Sequence, residues 1–454
     1  MTLVFRFGDL LREFRLRAGL TQAELAQLSG VSARTVSMLE TGKRNTPRVA
    51  SARLLADAMS LQADERGALL VASRGNCRPG EEFYHAPAGP VTPKARNTGP
   101  GPLHCLPYGV PDFVGRESEL RHLFRLASGS SSGSVLISTI HGMAGVGKTA
   151  LALHAGHALA ADFPDGLLFY DLRGFRPDAR PRSSEEALNA LFRMIGFPPE
   201  RIPATVDGKA AAWRGAVAGK RMLLVLDDAA DAEQVRPLLP GTAGNLTIVT
   251  SRRRLSALDG ATPLSLDVLP LSDAIDLFNR ITGGVPGPRI GSLVEITELC
   301  DRLPLAVRIA AARLAHRPHW TVEHLAKQLR RSNCRLAELT WDDGQGVATA
   351  LSVSYRRLGA DHRRLFRTLG IQPFVEFDTQ TVARVADISP EWAEALLEVM
   401  VDEHVVLQLA PGRYRLRGLM RALAETLVRE SDLLRRTDNT RRRHRQSLRE
   451  ALTP

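Results

Sequence analysis

The sequence predicts a multidomain chain of mixed class: an all-α segment first, then an α/β segment built on a parallel sheet, then a largely helical remainder. Three observations carry this. Residues 1–73 hold a single proline, Pro47, and read as short helices. Residues 112–270 alternate short apolar runs with amphipathic stretches, the pattern of parallel strands joined by crossover helices. Between them, residues 75–111 contain eight Pro and six Gly with little apolar periodicity, a composition that buries too little surface to fold alone and reads as a partly extended linker. The length of 454 residues suits two to four domains at roughly 150 residues each.

Composition narrows the class further. A hydrophobic fraction of 44% excludes disorder throughout, and no apolar run approaches the ~20 residues of a membrane span. Arg6, Arg12, Arg15 and Arg17 interrupt the N-terminal apolar residues, which excludes a secretory signal. The four cysteines (Cys77, Cys105, Cys300, Cys334) are far apart and lack CxxC spacing, so the expectation is a reducing cytoplasm rather than a disulfide or zinc scaffold. Lys+Arg exceed Asp+Glu by 60 to 49, a net of +11. This permits contact with polyanions without proving it.

In order along the chain, we expect a first domain over 1–73, the linker over 74–111, an α/β domain over 112–270, a helical domain over 271–340, a helical domain with one strand pair over 341–430, and a basic tail over 431–454. No internal repeat of 20–50 residues is present.

In the first domain, Thr21 is placed to N-cap a helix with Glu24 completing a capping box. Leu25 and Leu28 are expected to face inward, and Ala26 is small where a second helix approaches. Gly30 suits the left-handed end of that helix. Ser32 starts the next, with Val36 and Leu39 inward and Gly42 at its end. The Ala26–Gly30–Val36 spacing is that of a helix-turn-helix. This places Ser32, Ala33, Arg34, Ser37 and Met38 toward base edges in a major groove, with Arg34 suited to guanine. Gln22, Lys43 and Arg44 would sit on phosphate. The bland reading is a small helical domain for protein contact. Residues 1–73 carry ten Lys/Arg against seven Asp/Glu, so one copy would bind weakly and two or more copies on double-stranded DNA are expected.

In the α/β domain, the apolar run Val135 to Ile140 leads into Gly142-Met-Ala-Gly-Val-Gly-Lys-Thr149 and a helix from Ala150. This is GxxxxGK[ST] in its strand–loop–helix context. Gly142, Gly145, Val146 and Gly147 would wrap phosphates with backbone N–H groups at the helix N-terminus, with Ala150 just inside it. Lys148 would reach the β/γ-phosphates and Thr149 would ligate Mg²⁺. The buried run Arg221 to Asp228 ends in two acids: Asp227 for Mg²⁺ through water, and Asp228 to orient or activate an attacking water. The alternative for this pair is a cap on the following helix. A third run, Leu246 to Arg252, ends in a cation suited to sensing a γ-phosphate; otherwise Arg252 to Arg254 is a solvated face.

These features together resemble two known families. The first module is similar to the phage-repressor (Cro/C1-type) helix-turn-helix family. Residues 113–430 resemble the NB-ARC branch of the STAND signalling ATPases. Phe113-Val-Gly-Arg-Glu-Ser-Glu-Leu120 looks like the motif in which Val114 packs near adenine and Arg116 helps hold the nucleotide. Leu168 to Gly174 sits at the family's second strand. Cys300-Asp-Arg-Leu-Pro-Leu-Ala306 is similar to its GLPL segment, which implies that Pro304 packs on the base; Pro304 also suits an ordinary helix start. The region with Val405 to Leu409 and Arg413 to Leu416 resembles the family's winged-helix domain. Where the family usually has a His-Asp pair on the ADP β-phosphate, this chain has Arg417 and Gly418. Arg417 would still neutralise a phosphate, while Gly418 offers no carboxylate. The repeat array the family usually carries is not expected before residue 454.

The resemblances imply a nucleotide-switched (ATP/ADP, Mg²⁺) DNA-binding transcriptional regulator of the kind found in actinobacteria. Slow ATP hydrolysis would control homo-oligomeric state and operator binding, with no membrane partner. The alternatives are an NB-ARC defence or complex-forming protein whose helix-turn-helix serves assembly or self-repression, and a turnover ATPase.

Overall fold

The computed structural model describes residues 7–18, 20–41, 49–59, 61, 103–129, 135–176, 179–284, 290–341 and 344–431. The chain divides into two compact units, Met1–Asn97 and Thr98–Pro454.

The first unit contains α1 (Phe7–Arg17), α2 (Gln22–Ser29), α3 (Ala33–Glu40) and α4 (Val49–Ala58). Thr21 caps α2 as its sequence predicts. Its hydroxyl accepts from the Glu24 amide at 3.2 Å, and the Glu24 carboxylate accepts from the Thr21 amide at 2.7 Å. Gly30 ends α2 in the left-handed conformation and Ser32 caps α3. Leu11, Leu25, Val36, Leu39 and Leu55 form the core. Leu28 does not join it and is 62% exposed. The strip of α2 turned inward runs through Gln22, Leu25 and Ser29, and at about 100° per residue Leu28 falls on its flank. The Ser29 hydroxyl, buried on that strip, donates to the Leu25 carbonyl at 2.6 Å. Arg15 ties α1 to α3 and to the residue before α2's cap: its guanidinium donates to both Glu40 carboxylate oxygens, at 2.6 and 2.9 Å, and to the Leu20 carbonyl.

The second unit is built on six parallel strands: β1 (Leu103–His104), β2 (Leu136–His141), β3 (Gly166–Asp171), β4 (Met222–Ala229), β5 (Leu246–Ser251) and β6 (Ala261–Ser265). Their order is β1-β3-β4-β5-β2-β6, and every pairing is parallel. Side chains alternate between two cores. Leu223 and Val225 of β4 face one core together with helix Lys148–Ala158. Leu224 and Leu226 face the other, with helices Ser184–Met194 and Val206–Val217. Pro263 is tolerated in β6 because that strand pairs only with β2 and lies at the edge. Residues 103 and 104, which composition assigned to the linker, pair with β3 instead. Two residues are too few to show a period in the sequence.

Helices Leu271–Thr282, Ile290–Leu299, Pro304–Ala315 and Val322–Arg330 follow. Beyond them come Val347–Arg357, Ala360–Gly370, Thr379–Ala386, Pro390–Asp402 and a helix over 418–431. The expected strand pair is present as β8 (Leu407–Ala410) and β9 (Arg413–Arg415), and a third strand, β7 (Glu376–Asp378), pairs with β9 in the order β7-β9-β8. β7 went unpredicted because Glu-Phe-Asp is too short to establish alternation. Among the described residues no helix is long and apolar enough to cross a membrane.

Candidate functional site

The loop between β2 and helix Lys148–Ala158 bounds a cavity of about 420 Å³. Gly145, Val146, Gly147, Lys148, Thr149 and Ala150 line it; Gly142, at the start of the loop, does not. Gly145 has φ 78°, and a Cβ there would lie 2.9 Å from Leu305 Cβ, so only glycine admits helix Pro304–Ala315 this close. Gly147, with φ 100°, opens onto free space, with no atom within 4 Å of where a Cβ would stand.

Lys148 turns back onto its own loop. Its Nζ donates to the carbonyls of Gly142 and Met143 at 2.8 and 2.9 Å. Burial, with the nearby Arg252 cation, pushes its pKa down to about 7 against the pull of Asp228 and Asp227. The ammonium is thus held out of water beside a second cation, at the N-terminus of the helix, a setting that fits the phosphates of a nucleotide.

The two acids on β4 have different surroundings. Asp227 Oδ1 accepts from the Thr149 hydroxyl at 2.7 Å and from the Thr250 hydroxyl at 2.6 Å. Burial raises its pKa against those hydrogen bonds. Thr149 and Asp227 thus stand together as hard oxygen donors of the type Mg²⁺ takes. Asp228 lines the cavity with φ 55°. Its Oδ2 accepts from the Phe175 amide at 3.0 Å, and its own amide donates to the Thr250 hydroxyl at 2.9 Å. Thr250, on the strand between the P-loop strand and β4, was missed because a threonine in a β-branched run looks like strand filler.

Arg252 lines the same cavity and is not a solvated face. Its Nη1 donates to the Ala350 carbonyl, in helix Val347–Arg357, at 2.8 Å. Its guanidinium lies 5.3 Å from the centroid of the buried Phe175 ring, and Arg357 from the same helix lies 4.6 Å from that ring. Phe175 and Arg357 had no motif to announce them.

The other end of the cavity is apolar. Val110, Val114, Leu153, Leu269, Leu277 and Leu305 line it with Pro304. Pro304 is also the first residue of its helix, with Leu303 as N-cap, so the helix-start expectation for it holds. Arg308, one turn on from Pro304, lines the cavity and donates to Asp112 Oδ1 at 2.8 Å. The i, i+4 spacing from Pro304 could have found it. Phe113 stacks on His154 of the P-loop helix, with centroids 4.2 Å apart. Arg116 is buried, and its guanidinium donates to the Val146 carbonyl at 3.3 Å and the Asp267 carbonyl at 2.6 Å, with Glu119 paired at 3.1 Å. It lines the cavity as well and ties the loop to Asp267.

Arg417 is not among the residues lining this cavity. It pairs with Asp267 Oδ1 at 2.6 Å and borders a neighbouring cavity with Met143, Arg254 and His404. The Gly418 and Leu419 amides instead donate to the Asp301 carboxylate at 3.1 and 2.5 Å. His404 stacks on His141, the last residue of β2, with centroids 6.1 Å apart. Burial, with nearby cations, pushes both imidazoles down to about 4.

In the first unit, Ser32, Ala33 and Arg34 are exposed at the start of α3, and Ser37 and Met38 are partly exposed one turn on. The Gln22 amide donates to Glu40 Oε2 at 2.8 Å and so is engaged within the protein. Gly42, Lys43 and Arg44 lie outside the described residues.

Residues 6–69 match the helix-turn-helix domain family. The regulatory protein AfsR of Streptomyces griseus is 40% identical over 333 residues, which is 72% of this chain and 33% of that protein. The AfsR of Streptomyces coelicolor is 40% identical over 334 residues, with the same coverage. Matches that long necessarily include the P-loop and strands β2 to β6. The chain spans about a third of the length of these relatives. Among solved structures, a Signal Transduction ATPase with Numerous Domains (STAND) protein with a tetratricopeptide repeat sensor, from Pyrococcus horikoshii, aligns with TM-score 0.33 and 17% identity, covering 70% of this chain and 43% of that one.

Proposed function

We propose that this chain, which matches the helix-turn-helix domain family at residues 6–69 and is 40% identical to the regulatory protein AfsR over 333 residues, is a STAND-type transcriptional regulator whose binding to an operator is set by the nucleotide in its P-loop cavity. The observation that carries this is Arg252. One guanidinium lines the phosphate end of the cavity and is bonded to helix Val347–Arg357. What occupies the cavity therefore bears directly on the position of the C-terminal helices. We assign those helices and β7-β9-β8 as the winged-helix domain of an NB-ARC module.

ATP with Mg²⁺, when bound, supplies a cleavable phosphoanhydride. Lys148 leaves its two carbonyls for the phosphates, Thr149 and Asp227 hold the cation, and Val114 and Pro304 flank the base. Arg116 keeps the loop in register through Val146. Asp228, which lines the same cavity, would orient the attacking water, with the Phe175 amide holding its carboxylate. On DNA, the exposed start of α3 presents Ser32, Ala33 and Arg34 to base edges, with Ser37 and Met38 a turn behind. Nucleotide-dependent self-association would bring two or more such helices onto one operator, raising avidity without any new contact.

The test is operator binding by the full chain with ATP, with ADP and without nucleotide, alongside Lys148→Ala. We expect nucleotide to change operator affinity and assembly size in the wild type and not in the variant. Identical binding in all conditions would leave the helix-turn-helix uncoupled from the P-loop and overturn the proposal.

A further inference from the structure

We infer that Phe175 is a positioning residue that sets Asp228 and Arg252 against one another at the phosphate end of the cavity; this rests on the nucleotide reading above. Phe175 is 2% exposed, yet it belongs to neither apolar core of its unit. Two cations lie against its ring. The Arg252 guanidinium is 5.3 Å from the centroid, and that of Arg357 is 4.6 Å from it. The π face of a ring attracts a guanidinium, most strongly where water is excluded. This ring therefore holds charge more than it fills space.

The backbone of the same residue holds the acid. The Phe175 amide donates to Asp228 Oδ2 at 3.0 Å, and the Gly174 amide donates to the Asp228 carbonyl at 2.6 Å. A Cβ at position 174 would stand 2.4 Å from the Ala230 nitrogen and 2.5 Å from the Asp228 carbonyl oxygen, so glycine alone admits this approach. Phe175 is thereby locked onto the end of β4.

Asp228 and Arg252 line the cavity, while Phe175 and Arg357 do not. Phe175 thus bears on a nucleotide through its two neighbours: by its amide on the acid, by its ring on the cation. Arg252 commits Nη1 to the Ala350 carbonyl at 2.8 Å, and the rest of its donor fork is left for phosphate oxygens. Without the π face the guanidinium would keep that anchor and could swivel about it. Arg357 shares the ring and stands on the same helix as Ala350, so the C-terminal helices adjoin both anchors.

The test is the affinity of the full chain for ADP and for the non-hydrolysable β,γ-imido analogue of ATP, by equilibrium titration, written as a triphosphate/diphosphate ratio. A ratio taken within one preparation does not depend on its folded fraction. Leucine at 175 keeps an apolar side chain without a π face, and tyrosine keeps the face. We expect the ratio to fall about tenfold in Phe175→Leu, within the range of a desolvated cation–π contact, and to stay at the wild-type value in Phe175→Tyr. Arg252→Ala should lower it at least as far, and adding Phe175→Leu to that variant should change nothing more. Lys148-dependent binding with a wild-type ratio in Phe175→Leu would overturn this inference alone. So would an equal fall in the leucine and tyrosine variants, or a further fall in the double variant. A wild-type ratio in Arg252→Ala would overturn it together with the sensing role of Arg252. Absence of any Lys148-dependent binding would overturn the nucleotide reading as well.

Discussion

The two units treat their charged residues in opposite ways. In the first, the residues with a candidate task face water: Arg34 stands exposed on α3, and its neighbours Val36 and Leu39 supply the core. In the second, they face inward and are held by backbone carbonyls and threonine hydroxyls, as with Lys148 on two carbonyls, Asp227 under two hydroxyls and Arg252 on Ala350. An outward surface can be altered with little effect on the fold beneath it. An inward network ties ligand affinity to conformation, which is what a switch requires. The Arg15–Glu40 pair is the exception in the first unit, being buried and structural.

That exception gives the largest expected effect of a single substitution. Glu40→Ala leaves the Arg15 guanidinium buried without its carboxylate, and should destabilise the first unit by about 3 kcal/mol, read from its thermal transition in the full chain. Acid should act the same way. Burial alone would raise the Glu40 carboxyl, but hydrogen bonds from Arg15 and Gln22 hold it below the usual range. Its contribution is present above the ordinary glutamate pKa and is lost as pH falls through the lower, folded value. A first unit as stable in Glu40→Ala as in the wild type would erase the exception.

Next, Lys148→Ala should weaken ATP binding about a hundredfold, the upper range for a charge-assisted contact, without changing the first unit's melting. Titration with a fluorescent nucleotide checks the first part. Arg34→Ala should cost about tenfold on a specific operator, as expected for one base contact, with much less loss on random DNA and no change in stability. Equal loss on both DNAs would make Arg34 a phosphate contact; a loss of stability would break the distinction between outward and inward charge.

A last effect is spread over a pH window and concerns the two histidines. Their folded pKa values, about 4, lie below the ordinary value of 6.5. Between these limits the unfolded chain binds protons that the folded chain does not. Stability should therefore fall as pH drops from 6.5 toward 4, by at most about 1.4 kcal/mol per pH unit for each histidine. His404→Asn should make the decline shallower. A melting temperature independent of pH across this window would mean that the imidazoles are not buried neutral.

Legibility in sequence followed the distance over which each feature is built. The capping box at Thr21 and Glu24, the left-handed Gly30 and the P-loop all lie within short windows, and all could be read. So could β4 and β5, whose apolar runs mark strands buried on both faces. Leu28 was misjudged because a two-turn helix leaves its inward face ambiguous by a residue. What stayed hidden was long-range: Arg116 finds Asp267, 151 residues on, Arg308 reaches back 196 residues to Asp112, and Arg417 meets Asp267 instead of the cavity. No local pattern encodes a partner that arrives through the packing of separate helices.

Thr250 has a genetic consequence. Its one hydroxyl donates to the side chain of Asp227 and accepts from the backbone of Asp228. Positions 227, 228 and 250 are therefore a single unit of variation. Serine at 250 preserves both roles, while valine, though nearly the same shape, removes both at once. Substitutions at the two acids should accordingly show epistasis with position 250, and a second-site suppressor of a weakened Asp227 is most economically sought on β5.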